Sequence, residues 1–191
     1  YYKYELSYEK MSKFKSILES YGEIYINNGT FRADILGNAS LVIIPNPDAT
    51  YVTDEEIAML KSYVENGGSL WLMGDWYAYF DPSVYNSITG DYGIIWNDGE
   101  IVDDENYDYA PYYPLLSTYS LNPLAMYFTM NLSKLYIRSS TYLNISPPAV
   151  PIVRGNPTSY GAGADGSPSG INGTKLIAVA CVEVGSGKIV A

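Results

Sequence analysis

Leu41-Val42-Ile43-Ile44 closed by Pro45-Asn46-Pro47, then Thr53-Asp54-Glu55-Glu56, then Ser69-Leu70-Trp71-Leu72-Met73, decide the fold. A continuous apolar run ended by prolines suits a strand buried on both faces, as in a parallel sheet. Thr53 and Glu56 have the spacing of a capping box, with Thr53 as N-cap and Glu56 at N3, so a helix opens there. Ile57, Leu60 and Val64 recur at helical spacing and give that helix its buried stripe. Asn66-Gly67-Gly68 ends it, and the next apolar run begins at Ser69. Strand, helix and strand in this order predict a right-handed βαβ unit.

Upstream, Met11, Phe14, Ile17, Leu18 and Tyr21 predict an amphipathic helix over Ser7–Tyr21, stopped by Gly22. Alternation over Glu23–Asn27 predicts a short strand, turned by Asn27-Asn28-Gly29. Downstream, Asp81-Pro82 opens a short helix, and strands are expected at Tyr92–Trp96, Ser133–Arg138 and near Ala149–Arg154. Asn97–Pro114 is a long acidic, tyrosine-rich connection, and Gly155–Gly173 a Gly/Ser/Pro/Asn loop expected to be mobile. Lys175–Val184, Gly185-Ser186-Gly187 and Lys188–Ala191 predict a closing antiparallel hairpin.

The 191 residues hold 21 acidic against 11 basic side chains, a net charge of −10, with no histidine and one cysteine. Nucleic acid is excluded as a partner, because phosphate binding needs clustered Lys and Arg. Insertion into a membrane is not expected from this segment, since no apolar run approaches the roughly 20 residues of a span. The lack of histidine removes Ser-His, Cys-His and histidine-metal chemistry. Cys181 lies inside an apolar run, where a small buried side chain is the ordinary role. Asn-x-Ser/Thr sequons at Asn28, Asn38, Asn131, Asn144 and Asn172 exceed the number of about two expected by chance. They predict N-linked glycans and an extracellular or cell-surface location in a prokaryote, archaeal in character.

The segments quoted first, with Tyr63-Val64-Glu65-Asn66-Gly67-Gly68-Ser69-Leu70, Leu72-Met73-Gly74-Asp75 and Val150-Pro151-Ile152-Val153-Arg154-Gly155, resemble the class I glutamine-amidotransferase-like α/β superfamily. The resemblance is to its non-amidotransferase branch, found in gliding-motility transporter accessory proteins, an intraflagellar-transport protein and many secreted bacterial and archaeal proteins. It implies a flavodoxin-like three-layer sandwich. It also implies a first central strand ahead of the Tyr1 helix and a helix after Ala191, so residues 1–191 are expected to be one domain lacking those two elements. In true amidotransferases the elbow is Gly-x-Cys-x-Gly; here it is Gly74-Asp75-Trp76-Tyr77-Ala78, with Trp76 in place of the thiol. That mechanism is excluded by position as well as by composition.

Three constellations remain. Asp75, with Trp76 and Tyr77, stands at the carboxyl end of a central strand, where open α/β sheets bind ligands, although a carboxylate there also caps turns. Asp98, Glu100, Asp103, Asp104, Glu105 and Asp108 crowd hard oxygen ligands into one loop, a set suited to calcium but without EF-hand spacing; the alternative is a solvated acidic loop. Tyr107, Tyr109, Tyr112 and Tyr113, interleaved with prolines, form either a rigid amphipathic contact surface or the cover of a sheet edge. The fold expected is α/β, mainly parallel, with a late antiparallel hairpin. The function expected is a non-enzymatic recognition or assembly module that binds other protein chains or copies of itself in a layer or filament. The competing class is a carboxylate-dependent, glycosidase-like hydrolase pairing Asp75 with Glu100 or Asp103.

Overall fold

The structure is a computed structural model that describes residues 12–27, 29–47 and 49–191. Its helices are α1 (Ser12–Glu19), α2 (Ala33–Leu36), α3 (Asp54–Glu65), α4 (Ser83–Thr89) and α5 (Pro123–Thr129). The strands are β1 (Leu41–Pro45), β2 (Ser69–Met73), β3 (Ile94–Trp96), β4 (Gly99–Asp103), β5 (Leu115–Leu116), β6 (Thr118–Tyr119) and β7 (Leu135–Tyr136). They continue with β8 (Leu143–Ile145), β9 (Val150–Arg154), β10 (Ser159–Gly163), β11 (Pro168–Asn172), β12 (Ile177–Val184) and β13 (Gly187–Val190).

The βαβ unit forms as the sequence dictates. β1 and β2 pair in parallel, Leu41 opposite Ser69 through Pro45 opposite Met73. Both halves of the capping box close, Thr53 accepting from the Glu56 amide and Glu56 accepting from the Thr53 amide. β13 then lies parallel to the other edge of β2, and from there the sheet changes character. Among the described residues every other strand pairing is antiparallel, so the mainly parallel sheet expected from the sequence is corrected to a mixed one. The reason is β12. Cys181 faces Val190 of β13 and Val150 of β9, while Ile177 faces Leu143 of β8 and Arg154 of β9. β9 therefore follows one edge of β12, and β13 and β8 share the other, so the sheet forks there. β3 extends the β8 branch.

Alternating residues of β12 feed different apolar clusters, as period-two geometry requires. Ala180 and Val182 join Leu60 and Val64 of α3, Tyr85 and Ile88 of α4, and Leu70 and Leu72 of β2. Cys181 instead joins Ala125 of α5 with Leu116, Ile152 and Val153. On β2, Trp71 lies between Leu70 and Leu72 and meets Phe14 of α1 edge-on at 5.5 Å. Tyr85 is fully buried, and its hydroxyl is shared between the carbonyls of Ile44 and Met73, tying the ends of β1 and β2 to α4. Tyr85→Phe leaves those carbonyls without that donor at unchanged packing; an equilibrium urea titration is expected to show a loss of about 1–2 kcal/mol.

Three expectations change at the level of elements. Residues 7–11 of the first predicted helix lie outside the described residues. Glu23–Asn27 alternates like a strand but pairs with no strand among the described residues. The two stretches expected to be loops contain β4, β10 and β11, which form a three-stranded antiparallel sheet in the order β11-β10-β4. Their glycines serve contact instead of mobility. A Cβ at Gly99 would meet the Ala162 carbonyl and the Tyr142 ring, and one at Gly161 would meet Ser169 and Tyr142.

Candidate functional site

Asp75 stands just past the end of β2. Its Oδ1 accepts from the Trp76 amide at 2.8 Å, and its Oδ2 accepts from Asn46 Nδ2 at 3.3 Å. Asn46 follows β1 with positive φ (39°), and its Nδ2 also donates to the Tyr79 carbonyl at 2.9 Å. Thr141, just before β8, donates its amide to the Asp75 carbonyl and its hydroxyl to the Asn97 carbonyl. Trp76 packs its ring against Tyr77 and Tyr79, at centroid distances of 5.0 and 5.4 Å. The carboxylate thus holds the turn that follows β2.

The acidic loop separates into unlike parts. Asp103 is 0 % exposed. Its Oδ1 accepts from the amides of Glu105 and Asn106 and from Thr158 Oγ1; its Oδ2 accepts from Asn156 Nδ2 and Ser159 Oγ. Burial alone would raise its pKa, but these donors outweigh burial and hold it below the ordinary carboxylate value. Glu100 goes the other way: burial pushes its carboxyl up, with Ser139 opposing through a hydrogen bond. Among the described residues no three acidic side chains converge on a point that could hold a metal. The calcium set Asp98, Glu100, Asp103, Asp104, Glu105 and Asp108 is therefore not assembled, and Asp103 has both oxygens committed to protein donors. The same commitment removes Asp103 as the second carboxylate of a glycosidase pair.

Cys181 is buried in β12, and its thiol is pushed up to about 11, first by burial and then by Glu183, with Lys188 opposing. It is no nucleophile at neutral pH. A groove of about 580 Å³ lies at the amino-terminal end of β2, away from Asp75, lined by Leu36, Met59, Tyr63 and Gly68 among others, with no charged residue. The acceptor asparagines Asn38, Asn131, Asn144 and Asn172 are exposed; Asn28 lies outside the described residues.

The tyrosine segment is ordered by backbone pairing. Tyr107 bridges to Pro114, Ile137 donates to the Pro114 carbonyl and Ser139 to that of Tyr112. Tyr113 is the hub, with Tyr109 stacked at 6.1 Å, Tyr112 and Tyr136 edge-on, and the Arg138 guanidinium 5.2 Å from its ring centroid. Tyr109 is 81 % exposed, and Tyr107 and Tyr112 also reach solvent. Sequence reasoning missed a further group of exposed apolar residues: Leu121, Met126, Tyr127, Phe128, Met130 and Leu132. The signal was available, because no charged residue occurs from Tyr109 to Ser133.

Comparison with known proteins extends these observations. A family model described as the IFT52 GIFT domain matches residues 3–123. Among solved structures, "mmIFT52 N-terminal domain" is similar with a TM-score of 0.73 at 20 % identity, over 94 % of this chain and 76 % of that one. A catalytic mutant of Gan42B, a GH42 beta-galactosidase from G. stearothermophilus, matches at TM-score 0.42 and 15 % identity, over 79 % of this chain and 18 % of that one. Cytoplasmic Protein STM1381 from Salmonella typhimurium LT2 matches at TM-score 0.46 and 10 % identity, over 85 % and 63 %. Neither of these two carries an argument about function at such scores. No curated protein matches the chain. The extracellular location expected from the sequons is overturned, because the matching family is that of an intracellular intraflagellar-transport component. The glycan reading loses the compartment on which it rested.

Proposed function

The chain belongs to the IFT52 GIFT-domain family, and from that membership we propose that it is a non-enzymatic protein-binding module that works in an assembly. The observation that carries this reading is the ordered tyrosine surface. Tyr107, Tyr109 and Tyr112 are exposed yet held: Tyr107 is bridged to Pro114, Tyr109 and Tyr112 pack on Tyr113, and the carbonyls of Tyr112 and Pro114 are bonded by Ser139 and Ile137. Rigid aromatic groups of this kind lose little freedom on binding and supply large contact areas. The candidate catalytic groups support the same reading, since Asp75 holds a turn and Asp103 holds a loop. Residues 1–191 are read as one domain of flavodoxin-like, amidotransferase-related architecture. Supporting this are the parallel β1-β2-β13 core and the placement of Phe14 against Trp71 while α3 packs with Leu70 and Leu72.

The test is a binding comparison. Immobilised chain is expected to retain a stoichiometric protein partner from source-cell extract, and the double variant Tyr109→Ser, Tyr112→Ser to lose it at least about tenfold with unchanged melting temperature. Undiminished retention by the variant would remove these tyrosines from the contact. Hydrolysis of glycoside substrates that disappears in Asp75→Asn would overturn the non-enzymatic reading.

A further inference from the structure

The tyrosine segment belongs to a small antiparallel sheet whose register fixes what faces outward. Residues 106–108 pair with 113–115: Tyr107 bridges Pro114, the Asp108 amide donates to the Tyr113 carbonyl and the Leu115 amide to that of Asn106. On the other side Leu115 lies opposite Tyr136 in the β5–β7 pairing, and the amides of Ile137 and Ser139 donate to the carbonyls of Pro114 and Tyr112. Residues opposite one another in antiparallel strands share a face, so Asp108, Tyr113 and Arg138 form one row, with Leu115 and Tyr136 in the next. Burial alternates as that geometry requires. Pro114 and Leu116 are buried, and Leu135 and Ile137 pack on the second apolar cluster. On the outward face Tyr113 and Leu115 are half-buried, while Asp108, Lys134, Tyr136 and Arg138 are exposed. The face is continuous across β5 and β7, since the Tyr113 ring meets Tyr136 at 6.3 Å and the Arg138 guanidinium at 5.2 Å.

Charge selects the occupant, because the face is bipolar. Asp104, Glu105 and Asp108 belong to the segment on one side of Tyr113 and Leu115, and Lys134 and Arg138 to the segment on the other. Two strand spacings set Asp108 and Arg138 about 10 Å apart within one chain, too far to pair. Neither is in an ion pair among the described residues. A uniformly basic partner would be repelled by Lys134 and Arg138, and a uniformly acidic one by Asp108 and its neighbours. The partner that fits carries the reverse pattern at the same spacing. A copy of the chain turned about a two-fold axis lying in the face along β5 is such a partner. That axis exchanges the two sides, sets each Asp108 against the Arg138 of the other copy, and lays the Tyr113–Leu115 strip on itself. We infer that this face is the interface on which a second copy of the chain docks, held in register by two symmetry-related Asp108–Arg138 pairs. The inference rests on the assembly reading above and gives it a partner.

Sedimentation equilibrium of the full 191-residue chain, from about 1 to 300 µM, is the test. The expected result is twice the monomer mass in the upper part of that range. Asp108→Arg sets arginine against arginine at both pairs, and Arg138→Asp sets aspartate against aspartate. Each alone is expected to weaken the dimer by about 30-fold or more. An equimolar mixture of the two variants restores both pairs in the mixed dimer, which should form as tightly as the wild-type one. Melting temperatures should stay near wild type, because both side chains are exposed. Arg138 leans on the Tyr113 ring, so Asp108→Arg by itself keeps the test open if Arg138→Asp folds poorly. A chain that stays monomeric at every concentration, a dimer indifferent to Asp108→Arg, or a mixture of folded variants no tighter than either alone would overturn the inference. None of those outcomes touches the assembly reading, which is judged by partner retention in the Tyr109→Ser, Tyr112→Ser variant.

Discussion

Replacing Asp103 by alanine is expected to lower the stability of this protein by about 4 kcal/mol, and its melting temperature by about 10 °C. Five donors converge on that carboxylate from two segments far apart in sequence, the 105–106 turn and residues 156–159. Alanine leaves the buried Ser159 hydroxyl without its acceptor and Asn156 Nδ2 with only the Leu115 carbonyl, and a buried donor deprived of its partner costs more than a typical hydrogen bond gains. The effect carries a pH signature. The folded-state pKa of Asp103 is lowered below its unfolded value of roughly 3.9, so its contribution is fully present above about pH 4 and is lost as pH falls through the folded value. Denaturant titrations of wild type and Asp103→Ala at pH 7 and at decreasing pH should therefore converge in the acid range. A constant difference at all pH values would mean that the carboxylate charge is not what holds the network.

The second large effect needs only one methyl group. Gly187 opens β13, directly under the carboxyl end of α3 and the start of β2. A Cβ there would fall inside the contact distance of the Val64 and Gly68 carbonyl oxygens, both of them backbone atoms that cannot rotate away. Gly187→Ala must push β13 off β2 or α3 off the sheet, and a loss of about 3 kcal/mol or more is expected in equilibrium unfolding. Gly166→Ala is the comparison, since nothing lies within 4 Å of its Cβ position. Its positive φ of 78° makes it strained by conformation alone, at a cost of about 1 kcal/mol. Equal losses at the two positions would show that β13 can yield.

The β1–α3–β2 unit was legible because its signals are local. The capping box, the Val64-to-Gly68 stop and two apolar runs need no information from elsewhere in the chain. The character of the rest of the sheet was not legible, since a continuous apolar run such as Ile177–Val184 is compatible with parallel or antiparallel neighbours. What decides the matter is that β12 meets β13, β8 and β9 at once, and those pairings are set by tertiary contact. The strands β4, β10 and β11 were hidden by composition. Ser159-Tyr160-Gly161-Ala162-Gly163 reads as a loop unless Tyr142 is known to press on Gly99 and Gly161. In the acidic cluster ligand type was legible but convergence was not, and Asp103 turns inward to amide and hydroxyl donors. Asp75 was correctly placed at the end of β2, and the turn-capping alternative describes the hydrogen bonds it makes. The tyrosine surface was visible as a run of residues, whereas the exposure of Met126 and Tyr127 on α5 required knowing that Ala125 and Leu124 face inward.

The fork at β12 also has a consequence for the order of events during synthesis. β1, α3 and β2 can settle as soon as they emerge, but the second edge of β2 has no strand until residues 187–190 arrive, and β9 and β8 both wait for residues 177–184. Until then the nascent chain carries unpaired strand edges at β2, β8 and β9, the kind of surface that chaperones shield and that aggregation exploits. Completion is then abrupt, because one hairpin supplies the missing neighbour to all three. The β12–β13 hairpin acts as the keystone, and folding should be slow to begin and cooperative when it does.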